Sequence, residues 1–153
     1  MLDKLIALNA DCAAALDDDR LEDWPGYFTE DAFYRVTTAQ NHARGLPAGL
    51  IYADSRQMLR DRVLSLRKAN VYEAQRYRHL LSVPRLRGEA GGRMQVETGF
   101  AVLRIVRGGA TDIFASGRYL DEVVAGPDGQ LLLQRRDVVC DSSRIDTLLA
   151  IPL

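Results

Sequence analysis

Apolar positions along this chain change period part-way through. Leu2, Leu5, Ile6, Asn9, Cys12, Ala13 and Leu16 recur at the spacing of one helical stripe, with Asp3, Lys4 and Asp11 off it. The pattern predicts an opening helix that lies against a sheet. Asp17, Asp18 and Asp19 end it, the third capping a short helix that starts near Leu21. In WPGYFTEDAFYRV, Pro25 suits an early helical position, and Trp24, Tyr27 and Phe28 are bulky enough to close the end of a core. Phe33 to Thr37 is then a β-prone run. Residues 38–53, with Gly45, Pro47 and Gly49, show no period and read as a long loop containing His42. Asp54 stands where a helix N-cap belongs, with Gln57 three residues on, and Leu59, Val63 and Leu66 form the apolar face that follows. Arg67 and Lys68 complement that helix's C-terminus, and Asn70 supplies a left-handed exit.

After Tyr72 the period becomes two. Tyr77, His79, Leu81 and Val83 share one face of a strand, with Arg76, Arg78, Leu80 and Ser82 on the other, and Pro84 marks an edge or strand end. Gly88, Gly91 and Gly92 form a turn. Three long strands follow as a meander: Arg93 to Arg107, Ile113 to Val124 and Leu131 to Cys140, joined by Gly108-Gly109 and by Gly126-Pro127-Asp128-Gly129. In the first of these, Val96, Thr98, Phe100 and Val102 oppose a second set that is also mostly apolar, which predicts cover on both faces towards its end. The closing stretch DSSRIDTLLAIPL keeps Leu148, Leu149, Ile151 and Leu153 apolar, so it must cover its own domain or another subunit.

Composition narrows the function classes. A chain of 153 residues with 47% apolar residues supports one domain over 1–153. There is no long uncharged apolar run, and the N-terminal residues lack a signal-peptide pattern, so a cytoplasmic protein without membrane contact is expected. Cys12 and Cys140 lack metal or redox spacing and read as buried thiols. Residues 1–35 carry nine acids against three bases, and residues 56–87 nine bases against two acids. That polarity can steer a protein partner or pair within the fold, whereas nucleic-acid binding lacks a supporting motif. The triple aspartate does not fit a cation loop, whose ligands sit at alternate positions.

Catalytic signatures are scarce. No phosphate-binding glycine loop, G-x-S-x-G or H-E-x-x-H occurs. Helices followed by a strongly curved, mixed or antiparallel sheet of long strands describe the α+β cone of the NTF2-like superfamily. On that fold two function classes compete. An open cone would be an isomerase or dehydratase with a desolvated carboxylate base, recruiting Asp31, Tyr34, Tyr77, His79 and Asp137. A filled cone would be an assembly subunit.

Specific segments separate the two. RYRHLLSVPRL at residues 76–86 resembles the signature segment of small (β) subunits of Rieske aromatic ring-hydroxylating dioxygenases. WPGYFTEDAFYRV, IYADSRQMLRDRV, NVYEAQRYRHLL, VLRI, IFASGRYLDEV and CDSSRIDTLLAIPL follow in that family's order, within a group acting on carboxylated aromatics such as terephthalate. The resemblance implies an α3β3 hexamer. In it the α subunit holds a Rieske [2Fe-2S] cluster and a mononuclear Fe(II), fed by an NAD(P)H-dependent reductase with or without a ferredoxin. The β chain would then hold no catalytic, cofactor or metal residue of its own. With two histidines and two cysteines, it is also too poor in ligands to supply both iron sites. Candidate subunit-interface residues are Arg76, Arg78, His79, Arg135, Arg136, Leu148, Leu149, Ile151 and Leu153. For Arg76, Arg78 and His79 the competing expectation is internal pairing with Glu97, Asp121 or Asp137.

Overall fold

The computed structural model describes residues 1–46, 49, 51–69, 75–143 and 151–153. Helix α1 (Leu2–Asp17) leads through a single 3-10 turn (Trp24–Tyr27) directly into strand β1 (Phe28–Thr38). A short helix α2 (Ala39–Ala43), strand β2 (Ile51–Ala53) and helix α3 (Arg56–Ala69) come next. Five strands complete the chain: β3 (Gln75–Leu81), β4 (Arg85–Ala90), β5 (Arg93–Val106), β6 (Thr111–Ala125) and β7 (Leu131–Cys140).

All seven strands form one sheet in the order β2-β1-β7-β6-β5-β3, with β4 sharing the free flank of β5. Every pairing is antiparallel except β1 with β7, so the sheet is mixed. Irregularities at Val102/Leu103 and at Glu122/Val123 interrupt the long ladders. Such bulges bend a strand and increase its twist, which curves the sheet around the helices. Gly117 lets two strands approach at the bend: a Cβ there would lie 2.0 Å from the carbonyl oxygen of Val139, so no side chain fits.

The helices and the 3-10 turn cover one face of the sheet. Leu5, Leu8, Cys12 and Leu16 of α1 and Leu59 and Val63 of α3 meet Tyr34, Val36, Val102, Tyr119 and Val138 of the strands. Trp24, Phe28 and Tyr34 pack edge to face, with centroids 5.3, 5.1 and 5.9 Å apart pairwise. Each large side chain so buried contributes about 1.5–3 kcal/mol. The buried stripe of α1 differs from the predicted one: Leu8 and Ala15 are inside, while Leu2 and Ile6 are exposed. Asn9 and Asp17 fix this rotation through bonds to the sheet, to Thr98 Oγ1 and to the backbone N–H of His79.

Three other expectations change. The supposed loop over 38–53 contains α2, capped by the Thr38 hydroxyl accepting from the Asn41 N–H, and edge strand β2, whose three residues are too few to show a period. Helix α3 is capped by Ser55, which accepts from the Met58 N–H; Gln57 instead donates to Asp61 one turn on. Residues 85–90 form a strand ending in the Gly91-Gly92 turn, because β3 leaves the near half of β5 unpaired. Asn70 falls outside the described residues.

Candidate functional site

Alternation along the strands sends consecutive residues to opposite faces. Inside the cone, Arg136 of β7 lies opposite Asp121 of β6, and its Nε and Nη2 donate to the two carboxylate oxygens at 2.9 and 2.8 Å. Nη2 also donates to Asn9 Oδ1 at 2.7 Å, and Asn9 passes the chain on to Thr98. The guanidinium carbon lies 3.9 Å from the centre of the Tyr119 ring. Burial pushes the Asp121 carboxyl up, against the pull of Arg136. The arginine is raised as well, because Asp121 more than offsets its burial. Both carboxylate oxygens act as acceptors, which is the geometry of an ionised pair.

A second buried pair ties α1 to β3. His79 Nδ1 lies 2.6 Å from Asp17 Oδ1, and the His79 backbone N–H donates to Asp17 Oδ2 at 2.9 Å. A carboxylate at a helix C-terminus is disfavoured by the helix dipole, and these two donors offset that. His79 Nε2 is buried with no hydrogen-bond partner among the described residues. Nearby, the Tyr34 hydroxyl donates to the Leu153 carbonyl at 2.9 Å and the Tyr77 hydroxyl to the Ile151 carbonyl at 3.3 Å.

The outer face divides into two zones. Across β1, β7 and β6, Asp137 accepts from Arg35 Nε and Arg135 Nε, both at 2.8 Å, and Arg135 lies 4.2 Å from the centre of the Phe33 ring. Glu97 accepts from Arg118 at 2.9 Å and from Arg87 at 2.6 Å. Across β3, β5 and β6 the character changes. Arg78, Leu103 and Ile113 stand side by side in register, and Leu80, Ala101 and Ser116 form the next row. Leu80 is 54% and Ile113 73% exposed, and Arg76 and Arg78 are exposed with no ion-pair partner among the described residues.

These positions sort the candidate residues. Arg76, Arg78 and Arg135 are on the outer face and reach solvent. His79 and Arg136 are inside the cone. Ile151 and Leu153, expected at a subunit contact, pack against the core of their own chain. Leu148 and Leu149 lie outside the described residues. Glu97, Asp121 and Asp137 pair with other arginines, not with Arg76, Arg78 or His79. The acid–base set does not assemble either: Asp31 is exposed and bonded to Thr29 and Gln134, Asp137 faces outward, and Tyr34, Tyr77 and His79 face inward. Sequence reasoning missed Asp17 as the partner of His79 and missed Ile113. The doubly apolar end of β5 signalled Ile113, read there as cover on both faces.

Metal chemistry finds no fit in these residues. Among the described residues no group of three or more His, Cys, Asp or Glu could hold an ion. Both cysteines are buried, and burial pushes the Cys12 thiol up to about 11 and the Cys140 thiol to about 12, away from the thiolate a metal needs. No described helix is long and apolar enough to cross a membrane.

The chain is 49% identical over 150 residues to the terephthalate 1,2-dioxygenase terminal oxygenase component subunit beta 1 of a Comamonas species, covering 98% of this chain and 97% of that one. It is 41% identical over 138 residues to the anthranilate 1,2-dioxygenase small subunit of Burkholderia cepacia, covering 90% and 85%. Its fold superposes with a TM-score of 0.90 on the β subunit of an aromatic-ring-hydroxylating dioxygenase from Novosphingobium aromaticivorans, at 37% identity and covering 99% and 95%. Residues 12–147 match the model of the ring hydroxylating beta subunit family, and the chain belongs to that family, an α+β cone of the NTF2-like kind that serves as one component of an oxidoreductase.

Proposed function

We propose that this chain is the non-catalytic, structural β subunit of a cytoplasmic α3β3 oxygenase that cis-dihydroxylates a carboxylated aromatic such as terephthalate. The Rieske cluster and the mononuclear iron belong to the α subunit, which a reductase, with or without a ferredoxin, reduces. Two relatives are named for terephthalate and anthranilate, both aromatic carboxylates, and this supports the substrate class. The observation that carries the assembly role is the bare outer face of β3, β5 and β6. Leu80, Leu103 and Ile113 lie in rows flanked by Arg76 and Arg78. Apolar surface held in such rows gains about 25 cal/mol per Å² when covered. Arg76 and Arg78, which have no ion-pair partner among the described residues, fit an α-subunit surface that is apolar with an acidic rim. The isomerase or dehydratase reading loses its support, since Tyr34 and Tyr77 are engaged by the chain's own backbone.

Co-production with the matching α subunit tests this. The wild-type pair is expected to elute as a brown hexamer, while the lone chain is colourless and inactive. Leu80→Glu combined with Ile113→Glu should leave the lone chain folded by circular dichroism and reduce hexamer yield at least tenfold on size exclusion. An undiminished hexamer would remove this face from the interface. Turnover of a cyclic ketone or a dehydratable substrate by the lone wild-type chain would overturn the non-catalytic reading itself.

A further inference from the structure

The apolar rows of the outer face have unlike borders. On the β3 side stand Arg76 and Arg78, exposed and without an ion-pair partner among the described residues. On the other side the row Leu80, Ala101, Ser116 runs on to Asp141, just past the end of β7, whose backbone N–H donates to the Ser116 carbonyl at 2.8 Å. The Asp141 carboxylate turns to the same face and accepts from the Ser116 hydroxyl at 3.0 Å. It is exposed, and no cation pairs with it among the described residues. The patch is therefore cationic along β3, apolar across β5 and β6, and anionic beyond β6. The two borders lie three strand spacings apart, roughly 14 Å.

A surface with opposite charges on opposite borders and an apolar centre is complementary to itself. A two-fold axis lying between two such faces, parallel to β5, turns the β3 border of each copy towards the Asp141 border of the other. Leu103 and Ile113, neighbours in register, then meet the same pair of the second copy, and each Arg78 comes to the partner's acidic side. Sheets stacked in this aligned way pack about 10 Å apart through interdigitated side chains, within reach of Leu, Ile and Arg. The rest of the outer face offers no such contact, since Glu97 and Asp137 are already paired with arginines of their own chain.

We propose that the chain, when apart from its oxygenase partner, pairs with a second copy of itself through the β3-β5-β6 face, as a two-fold dimer built on Leu103, Ile113 and reciprocal Arg78–Asp141 pairs. Three rows on four strands make a patch of roughly 20 Å each way. Interfaces of that size are weak and reversible. Such a dimer keeps the apolar rows out of water and yields them to a larger partner. The pairing stands on the face itself; only the exchange with an α subunit rests on the assembly reading.

Sedimentation velocity of the lone chain over about 5 to 500 µM tests this. The wild-type mass should rise from the 17.1 kDa of one chain towards twice that value. Arg78→Glu and Asp141→Arg should each weaken self-association about tenfold, and the two together should restore it, because the pair is rebuilt with its signs exchanged. A wild-type chain that stays at the single-chain mass overturns the proposal, as does a dimer that ignores both reversals or is not restored by their combination. Leu80→Glu with Ile113→Glu should sediment as a single chain, and its hexamer yield reads the assembly proposal separately. Loss of the dimer with an undiminished hexamer sinks the assembly reading alone; a wild type that never dimerises but assembles through this face sinks the self-pairing alone.

Discussion

Arg136 and Asp137 are consecutive on β7, and each forms an ion pair, but on opposite faces of the sheet. The inner pair, Arg136 with Asp121, is shut between the sheet and α1, its side chains 4% and 1% exposed. Every polar atom it offers must be answered by protein, and Asn9, Cys12 and Tyr119 surround the arginine. The outer group, Asp137 with Arg35 and Arg135, keeps one member 40% exposed, so that arginine can turn to water if its partner is lost. Burial thus makes the inner pair a condition of the fold, while in the outer group, whose Arg35 and Asp137 are also largely buried, Arg135 alone is an adjustable part of the surface.

The sharpest test of that difference is Arg136→Met. It leaves Asp121 buried without a partner and should lower stability by about 3–5 kcal/mol in urea unfolding. Replacing both, as Asp121→Leu with Arg136→Met, should recover most of that loss, since an apolar pair leaves no charge stranded. Asp137→Ala should cost less, about 1–3 kcal/mol, because two arginines lose a charged acceptor but Arg135 can rehydrate. An Asp137→Ala loss equal to that of Arg136→Met would break the comparison. Weaker still is the exposed cluster in which Arg67 of α3 donates to Asp19 and Glu22. Arg67→Ala should cost under about 1 kcal/mol, and less at high salt, because exposed pairs are screened. The smallest signal belongs to the thiols. With burial holding Cys12 at about 11 and Cys140 at about 12, neither forms thiolate at pH 8, so iodoacetamide should label them only after unfolding, as mass spectrometry would show.

The architecture was legible where periodicity ran long enough to be counted. The three long strands and their glycine turns appear as predicted, and Val96, Phe100 and Val102 are buried as the alternation requires. Three-residue β2 and five-residue α2 were not legible, because neither completes enough of a period to stand out from a loop. The candidate site was half legible. Alternation placed Arg76 and Arg78 on one face of β3 and His79 on the other. It could not say which face the helices would cover, and that choice decides which residues meet a partner. The parallel contact of β1 with β7 left no local trace either, since register between distant segments is settled only when both are present. The uneven charge along the sequence proved partly internal: Arg67 answers Asp19 and Glu22, whereas Arg76 and Arg78 are left facing outward.

That parallel contact has a temporal side. Arg35 and its partner Asp137 are 102 residues apart, and β7 fills the place between β1 and β6. Until β7 has been synthesised, β1 has only the short β2 beside it, while β5 and β6 can already form a hairpin that β3 and β4 seal on the β5 side and that stays open along β6. Pairings this remote in sequence make folding slow and leave strand edges open to wrong neighbours. A nascent chain of this kind stays adhesive until β7 has emerged. Its yield in a cell should therefore respond to chaperone supply and to growth temperature far more than the measured stability of the finished protein would suggest.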